Sequence, residues 1–368
     1  METSPDITAI DWDFIEETIQ NEKCILFIGP EIFSAPGKEN IETQLVQYLG
    51  IPDNPDIQTY YQHDGLFLFT SRARKTKTFY KIKSFYNQDF PYAEKIMEKI
   101  ARIPFHFIIH MMPDHSLSKV FDKLSIKHDF EFYWKKHAPD PKIKTPTRAN
   151  PLIYNLLGNM DLQESMVLTH DDLFTYFESI FSGHSMPEKL KRIIKEADNF
   201  IFLGIPFAKW YMQLLLRILY IHNDFDFVRY AANQAVDEEI KTFCLEQFKI
   251  EFVPERIEEF VEELYERFEA KGALRTGAEE EVSPVEEFME WLAQDKIEEI
   301  FTALMDFLEN LGERGYDLLD STILLSNKYS RLMKRSMQGI IREEEASVQS
   351  NKIRNDLLNL LHQVKDLE

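Results

Sequence analysis

The sequence predicts an α/β protein with a Rossmann-like, largely parallel sheet, followed by a small all-α helical bundle. Three observations carry this. Through the first two-thirds of the chain, short β-type apolar runs alternate with helical patterns, as parallel strands joined by crossover helices require. The first run, Cys24-Ile25-Leu26-Phe27-Ile28, is apolar throughout and halts at Gly29, where domains of this class turn into a helix. After Pro254 no β-rich run follows, and helical periodicity holds to Glu368.

The elements follow in order. Ile10–Gln20 is a short amphipathic helix feeding the first strand, and Ile41–Leu49 has helical spacing after a Gly-Lys-Glu-Asn turn. Phe105–Ile109 is the second strand, started by a proline. A long, aromatic and locally basic insert covers Asp114–Asn150, with loop character from Lys135 to Pro146. The third strand, Pro151–Leu157, stops at Gly158-Asn159, and a helix opens at Asp171 or Asp172 with capping carboxylates. Glu188–Asp198 is a charged amphipathic helix leading into the most apolar strand, Phe200–Gly204. Trp210–Ile221 is nearly all apolar, so it needs cover from the sheet or from another subunit. Phe225–Tyr230 and Lys249–Val253 complete the strands.

Three divisions result: a Rossmann-type domain over 1–255, an acidic helix and linker over 256–284, and a helical module over 285–368. In the second, Ile257, Phe260, Val261, Leu264 and Phe268 form one stripe on a glutamate-rich helix, and Gly272–Pro284 reads as flexible. The last of the four helical patterns in the third puts Ile353, Leu357, Leu360, Leu361 and Val364 on one face.

Of the 368 residues, 44% are hydrophobic and 13% aromatic, ample for a sizeable core. The formal charge of -21 argues against a nucleic-acid or anionic-membrane partner, whose phosphates it would repel. From Glu251 to Asp320 there are 22 acidic and 6 basic residues, so most of the excess lies there. The two cysteines, Cys24 and Cys244, sit far apart in apolar surroundings and read as reduced buried thiols. The acidic start, METSPDITAIDWD, has no leader pattern, and no apolar run approaches the roughly 18 residues of a membrane span. A cytoplasmic protein is the expectation.

The turn Gly29-Pro30-Glu31 occupies the place of a phosphate cradle with the wrong chemistry for one. A carboxylate about 4 Å from a phosphate costs on the order of 4 kcal/mol at an effective dielectric near 20. Pro30 removes a backbone donor worth about 1 kcal/mol. Other candidates are weaker. His106, His110 and His115 lack the spacing of a metal site, and no metal is expected. His170 precedes an aspartate pair without a serine elbow. No Walker lysine motif and no Cys-x-x-Cys occurs. Glu258-Glu259 and Glu262-Glu263 read as the solvated face of a helix. Arg72-Ala73-Arg74-Lys75-Thr76-Lys77 is a positive island, read as a solvated face ahead of a phosphate site.

The ordered set of segments resembles the sirtuin-like domain of bacterial antiphage defence proteins over roughly residues 10–255. LFIGPEIF is followed by a strand running into Met111-Met112-Pro113-Asp114, then Leu152–Asn159, then Val167–Phe177, and last Phe200–Gly204 before Leu214–Leu219. The resemblance implies an NAD-hydrolysing fold with a glycine-rich cradle, a catalytic asparagine near an aspartate, and a catalytic histidine before a glycine. Here Met112 (or Met111, one register away) stands for the asparagine and Leu157 for the histidine, while Asp114 matches the aspartate. Neither substitute side chain transfers a proton or hydrogen-bonds a ribose. The implied cleft is degenerate, lined by Gly29, Glu31, Gly158, Asn159 and Gly204, and no cofactor is expected. The alternatives are NAD hydrolysis by displaced residues (His106, His110 or Asn159) or binding of an ADP-ribose-like nucleotide without cleavage.

Phe288-x-x-Trp291-Leu292-Ala293-Gln294-Asp295-Lys296, Leu324–Leu332, Gln338–Ile341 and Asn351–Arg354 resemble an effector-associated domain, a small helical adaptor that pairs with like domains. That resemblance implies a protein partner carrying a similar domain, with Trp291, Tyr329, Leu332, Ile340 and Ile353 as contact candidates. The expected whole is a pseudoenzyme scaffold that self-associates and recruits a partner.

Overall fold

In the computed structural model, residues 10–134, 143–182, 186–219, 229–233, 236–277, 284–311, 315–338, 341 and 343–365 are described. The chain divides into two compact units, Met1–Ala278 and Glu279–Glu368.

The first unit runs α1 (Trp12–Gln20), β1 (Cys24–Ile28), α2 (Ile41–Tyr48), β2 (Ile57–Tyr61), β3 (Leu66–Phe69), α3 (Arg72–Tyr86), α4 (Pro91–Arg102) and β4 (Phe107–His110). It continues with α5 (Ser116–Lys123), β5 (Asp129–Phe132), β6 (Leu152–Asn155), α6 (His170–Phe181), α7 (Glu188–Glu196) and β7 (Asn199–Leu203). Then come α8 (Trp210–Ile218), β8 (Arg229–Ala232), α9 (Glu238–Phe248), β9 (Ile250–Phe252) and α10 (Ile257–Ala270). Seven strands form one parallel sheet in the order β5-β6-β4-β1-β7-β8-β9.

β1 is uniformly apolar because both faces of the sheet are covered. The strand period of two divides its side chains: Cys24, Leu26 and Ile28 enter one core, Ile25 and Phe27 the other. The same alternation sends Ile108, Ile153 and Ile201 to the first layer and Phe107, Tyr154 and Phe202 to the second. α1, α4, α5 and α10 contribute to the first layer, and α6, α7, α8 and α9 to the second. The apolar α8 is thus seated on the sheet through Tyr211, Met212, Leu215 and Leu216.

Three expectations need correction. The insert after Asp114 contains α5 and the edge strand β5, whose half-buried Asp-Phe-Glu-Phe lacks a clean apolar pattern. β2 and β3 form an antiparallel hairpin outside the main sheet, where the sequence pattern predicts no strand. The stretch 256–284, expected as a separate helix and linker, is divided: α10 buries its apolar stripe in the first core. Arg275 lies inside the supposed linker, yet its guanidinium is buried. It donates to the carbonyls of Ala101 (2.9 Å), Ile103 (2.9 Å), Arg148 (2.8 Å) and Phe105. Gly277 packs so closely on the Leu124 carbonyl that a Cβ would lie 1.8 Å from its oxygen. Residues 225–228 of the expected strand Phe225–Tyr230 lie outside the described residues.

The second unit is α11 (Pro284–Ala293), α12 (Ile297–Asn310), α13 (Tyr316–Met337) and α14 (Glu343–Lys365). The helices close in a ring: α11 packs on α12 and α14, and α13 on α12 and α14. Val285, Phe288, Phe301, Leu304, Leu357 and Leu361 fill the centre. No helix among the described residues is long and apolar enough to cross a membrane.

Candidate functional site

The loops after β1, β4, β6 and β7 all leave the carboxyl edge of the sheet. The strand order reverses at β1, between β4 and β7, and ligands of open α/β sheets bind in the crevice at that point. Here the turn after β1 is bonded to the end of β7. Residues 30–33 make one tight 3-10 turn with Pro30, Ile32 and Phe33 buried. The Gly29 N–H donates to the Leu203 carbonyl at 2.8 Å and the Glu31 N–H to the Gly204 carbonyl at 3.2 Å. Ile32 and Ser34 donate back into the turn, to Gly29 and Glu31. A Cβ on Gly29 would meet the Gly204 carbonyl oxygen at 2.2 Å. Gly204, at φ +67°, would bring a Cβ within 2.8 Å of Glu31 Cβ. Both glycines thus allow the turn after β1 and the residue after β7 to approach this closely. The amides that a phosphate needs are engaged elsewhere.

The other residues that the resemblance singles out lie in the neighbouring loops. Met112 is buried in the first core, and Leu157 packs half-buried against the second. Asp114 caps the start of α5: Oδ1 accepts from the Ser116 N–H at 2.8 Å and from its hydroxyl. Gly158, at φ +97°, lies so close to Ser165 that a Cβ would sit 2.2 Å from its carbonyl oxygen. The Asn159 N–H donates to Ser165 Oγ at 2.9 Å, and Asn159 Oδ1 accepts from the Asp161 N–H at 2.8 Å. The Met160 N–H reaches the Pro113 carbonyl at 2.8 Å, joining the loops after β4 and β6. Asn159 therefore serves a turn.

Beneath these loops lies a polar group that the sequence did not single out as a set. His110 ends β4, Asn155 ends β6, and the two are partners in the parallel register. Both are fully buried, and Asn155 Nδ2 donates to the Asp114 carbonyl at 2.8 Å. Both ring nitrogens of His110, Asn155 Oδ1 and Asp114 Oδ2 have no hydrogen-bond partner among the described residues. Burial holds the His110 pKa below the usual imidazole value, against the opposing pull of the Asp114 charge and of the neighbouring Asn155 side chain. That side chain lies close to the ring without a well-formed hydrogen bond to it. His106, at the other end of the strand, is pushed down to about 3, first by burial and then by Arg275.

The β2–β3 hairpin is tied to the helices that start near this edge. Asp64, in its turn, accepts from Trp210 Nε1 at 3.2 Å, lies 2.9 Å from His170 Nε2, and receives the Tyr211 hydroxyl on its carbonyl at 2.9 Å. An ion pair between Glu42 and Lys209 lies beside Gly65. The hairpin, α3 and the start of α6 enclose a cavity of about 590 Å³ lined by Tyr61, Phe69, Arg72, Lys75 and Asp171 among others. Most of the positive island is already paired. Arg74 and Lys77 meet Asp56 at 2.7 and 2.8 Å, and Lys75 meets Asp172 at 2.6 Å. Lys77 and then Arg74 hold the Asp56 carboxyl below the usual carboxylate value, despite its burial.

Two family models match the chain: a SIR2-like domain over residues 108–251 and effector-associated domain 11 over residues 283–365. The chain carries a SIR2-like domain and an effector-associated domain. The SIR2-like match begins inside β4 and runs to β9, leaving the β1 turn outside it. No curated protein matches the chain.

In the effector-associated domain, Tyr329, Leu332 and Ile353 are buried and belong to the bundle core. Their apolar positions recur because the helices need an inner face, and within this chain they serve the packing of the bundle. Trp291 is half-buried against the same core, and Ile340 lies outside the described residues.

Proposed function

We propose that this protein is a non-catalytic scaffold of a bacterial effector-type defence system. Its SIR2-like domain is a pseudoenzyme without a cofactor, and its effector-associated domain recruits a partner with a like domain. The observation that carries this reading is the β1 turn, whose Gly29 and Glu31 amides are bonded to β7 carbonyls where a dinucleotide would need them. Met112 and Leu157 at the family's two catalytic positions point the same way, since neither can exchange a proton. The pairing of a SIR2-like domain with an effector-associated domain supports the defence setting.

Binding of an ADP-ribose-like nucleotide without cleavage is the second reading, favoured by the unmatched polar atoms of His110, Asn155 and Asp114 near the carboxyl edge. NAD hydrolysis by displaced residues is less well supported, because His106 and His110 are buried and Asn159 is held in a turn. Pull-down with the proteins encoded beside it tests recruitment. Capture of a partner is expected from the full chain and lost from a chain without residues 284–368. Capture that survives the deletion would overturn recruitment through that domain. A thermal-shift series with ADP-ribose is expected to show no change, and a saturable rise would favour the receptor reading.

A further inference from the structure

α13 is a 22-residue helix, about 33 Å long at 1.5 Å per residue. Its inner face is buried through Thr322, Leu325, Tyr329 and Leu332. On the outer face Tyr316, Asp320, Ile323, Asn327, Arg331, Lys334 and the C-cap Gln338 follow one another at steps of four, three, four, four, three and four. That spacing puts all seven on one stripe, and all seven are exposed. Tyr316, Ile323 and the flanking Leu324 are 57%, 40% and 64% exposed. Asp320, Arg331 and Lys334 have no ion pair among the described residues.

We propose that this stripe pairs with the same stripe of a second copy of the chain, antiparallel, with the two-fold axis at Asn327. The proposal rests on the reading of the helical domain as an assembly module and names the face that it uses. In the antiparallel register centred on Asn327, Asp320 of one copy faces Lys334 of the other. Ile323 faces the aliphatic stem of Arg331, and Tyr316 faces Gln338. Asn327 meets its own copy, where two amides can exchange hydrogen bonds. Each contact occurs twice, as an isologous interface requires. The helix dipoles run in opposite directions. Charge selects this occupant and orientation: a parallel pairing in register sets Asp320 against Asp320 and Lys334 against Lys334. One helix face covers less than the roughly 800 Å² per partner of a standard interface, so the pairing is weak and concentration-dependent.

Sedimentation of the full chain across the micromolar range tests it. The wild type is expected to dimerise reversibly. Asp320→Lys and Lys334→Asp are each expected to raise the dimer Kd about tenfold or more, since each change puts two like-charged pairs across the axis. The double variant, Asp320→Lys with Lys334→Asp, restores dimerisation by exchanging the charges. Both positions are exposed, so unchanged circular dichroism is expected for all three. A wild type that stays monomeric, single variants that dimerise as well as it does, or a double variant that fails to recover would each overturn the α13 pairing. None of these results bears on partner recruitment, which the deletion experiment tests separately.

Discussion

The two edges of the seven-stranded sheet differ in how they treat their largest buried polar groups. At the amino edge, Arg275 is buried without a carboxylate, yet it donates to four carbonyls in the segments leading into β4 and β6. At the carboxyl edge, where this class of fold does its chemistry, His110, Asn155 and Asp114 keep buried atoms without partners among the described residues. There the β1 turn closes on β7 through Gly29 and Gly204. The amino edge gives its buried guanidinium four acceptors, while His106 beside it is held neutral with both ring nitrogens unpartnered among the described residues. The other stands where this class of fold binds its ligands, with the amides of its β1 turn engaged.

The largest effect expected from breaking this contrast is at Arg275. Arg275→Met removes its bonds to four carbonyls, of which Ile103 still accepts from the Phe105 N–H, and should cost about 3–5 kcal/mol, read as a fall in the urea midpoint. Gly29→Ala comes next. A methyl group 2.2 Å from the Gly204 oxygen forces the β1 turn away from the end of β7 and should cost about 2–3 kcal/mol. If Gly29 served a ligand instead, the change would leave unfolding nearly unaltered and weaken binding.

The third prediction concerns pH. His106 is held neutral in the fold, with a pKa of about 3 against 6.5 when unfolded. Below pH 6.5 the unfolded chain binds a proton that the folded chain refuses. Stability should therefore fall as pH drops from 6.5 towards 3, by up to about 1.4 kcal/mol per pH unit from this group. His106→Gln should flatten that slope in urea titrations at stepped pH. The smallest effect is expected at His110. Because its ring nitrogens lack partners among the described residues, His110→Leu should change stability by less than about 1 kcal/mol. A loss comparable to that of Arg275→Met would show that His110 is bonded after all, and the contrast between the edges would fail.

Much of the fold was legible because burial on both sides leaves an uninterrupted apolar run, as in Cys24–Ile28 and Phe200–Leu203. The helical unit was legible from periodicity. The β2–β3 hairpin was readable in principle: Asp64-Gly65 is a turn signal, and Gly65 takes φ +73°. β5 was not, because a half-buried edge strand with two acids carries no clear pattern. Arg275 sits among Gly, Ala and Thr, so its local composition says loop, and only the folded chain supplies its four carbonyls. The candidate cleft was half legible. That Met112 and Leu157 carry no proton-exchanging group is visible as residue type, whereas the pairing of His110 with Asn155 depends on strand order. The backbone contact between Gly29 and Gly204 could not be inferred from either glycine alone.

The central claim is the absence of chemistry at the carboxyl edge. Incubating the full-length protein with NAD, alone and with its captured partner, and following nicotinamide release tests it most directly. The expected result is no release above a buffer control in either case. Release that disappears in His110→Ala would contradict the claim and return the buried histidine to a catalytic role.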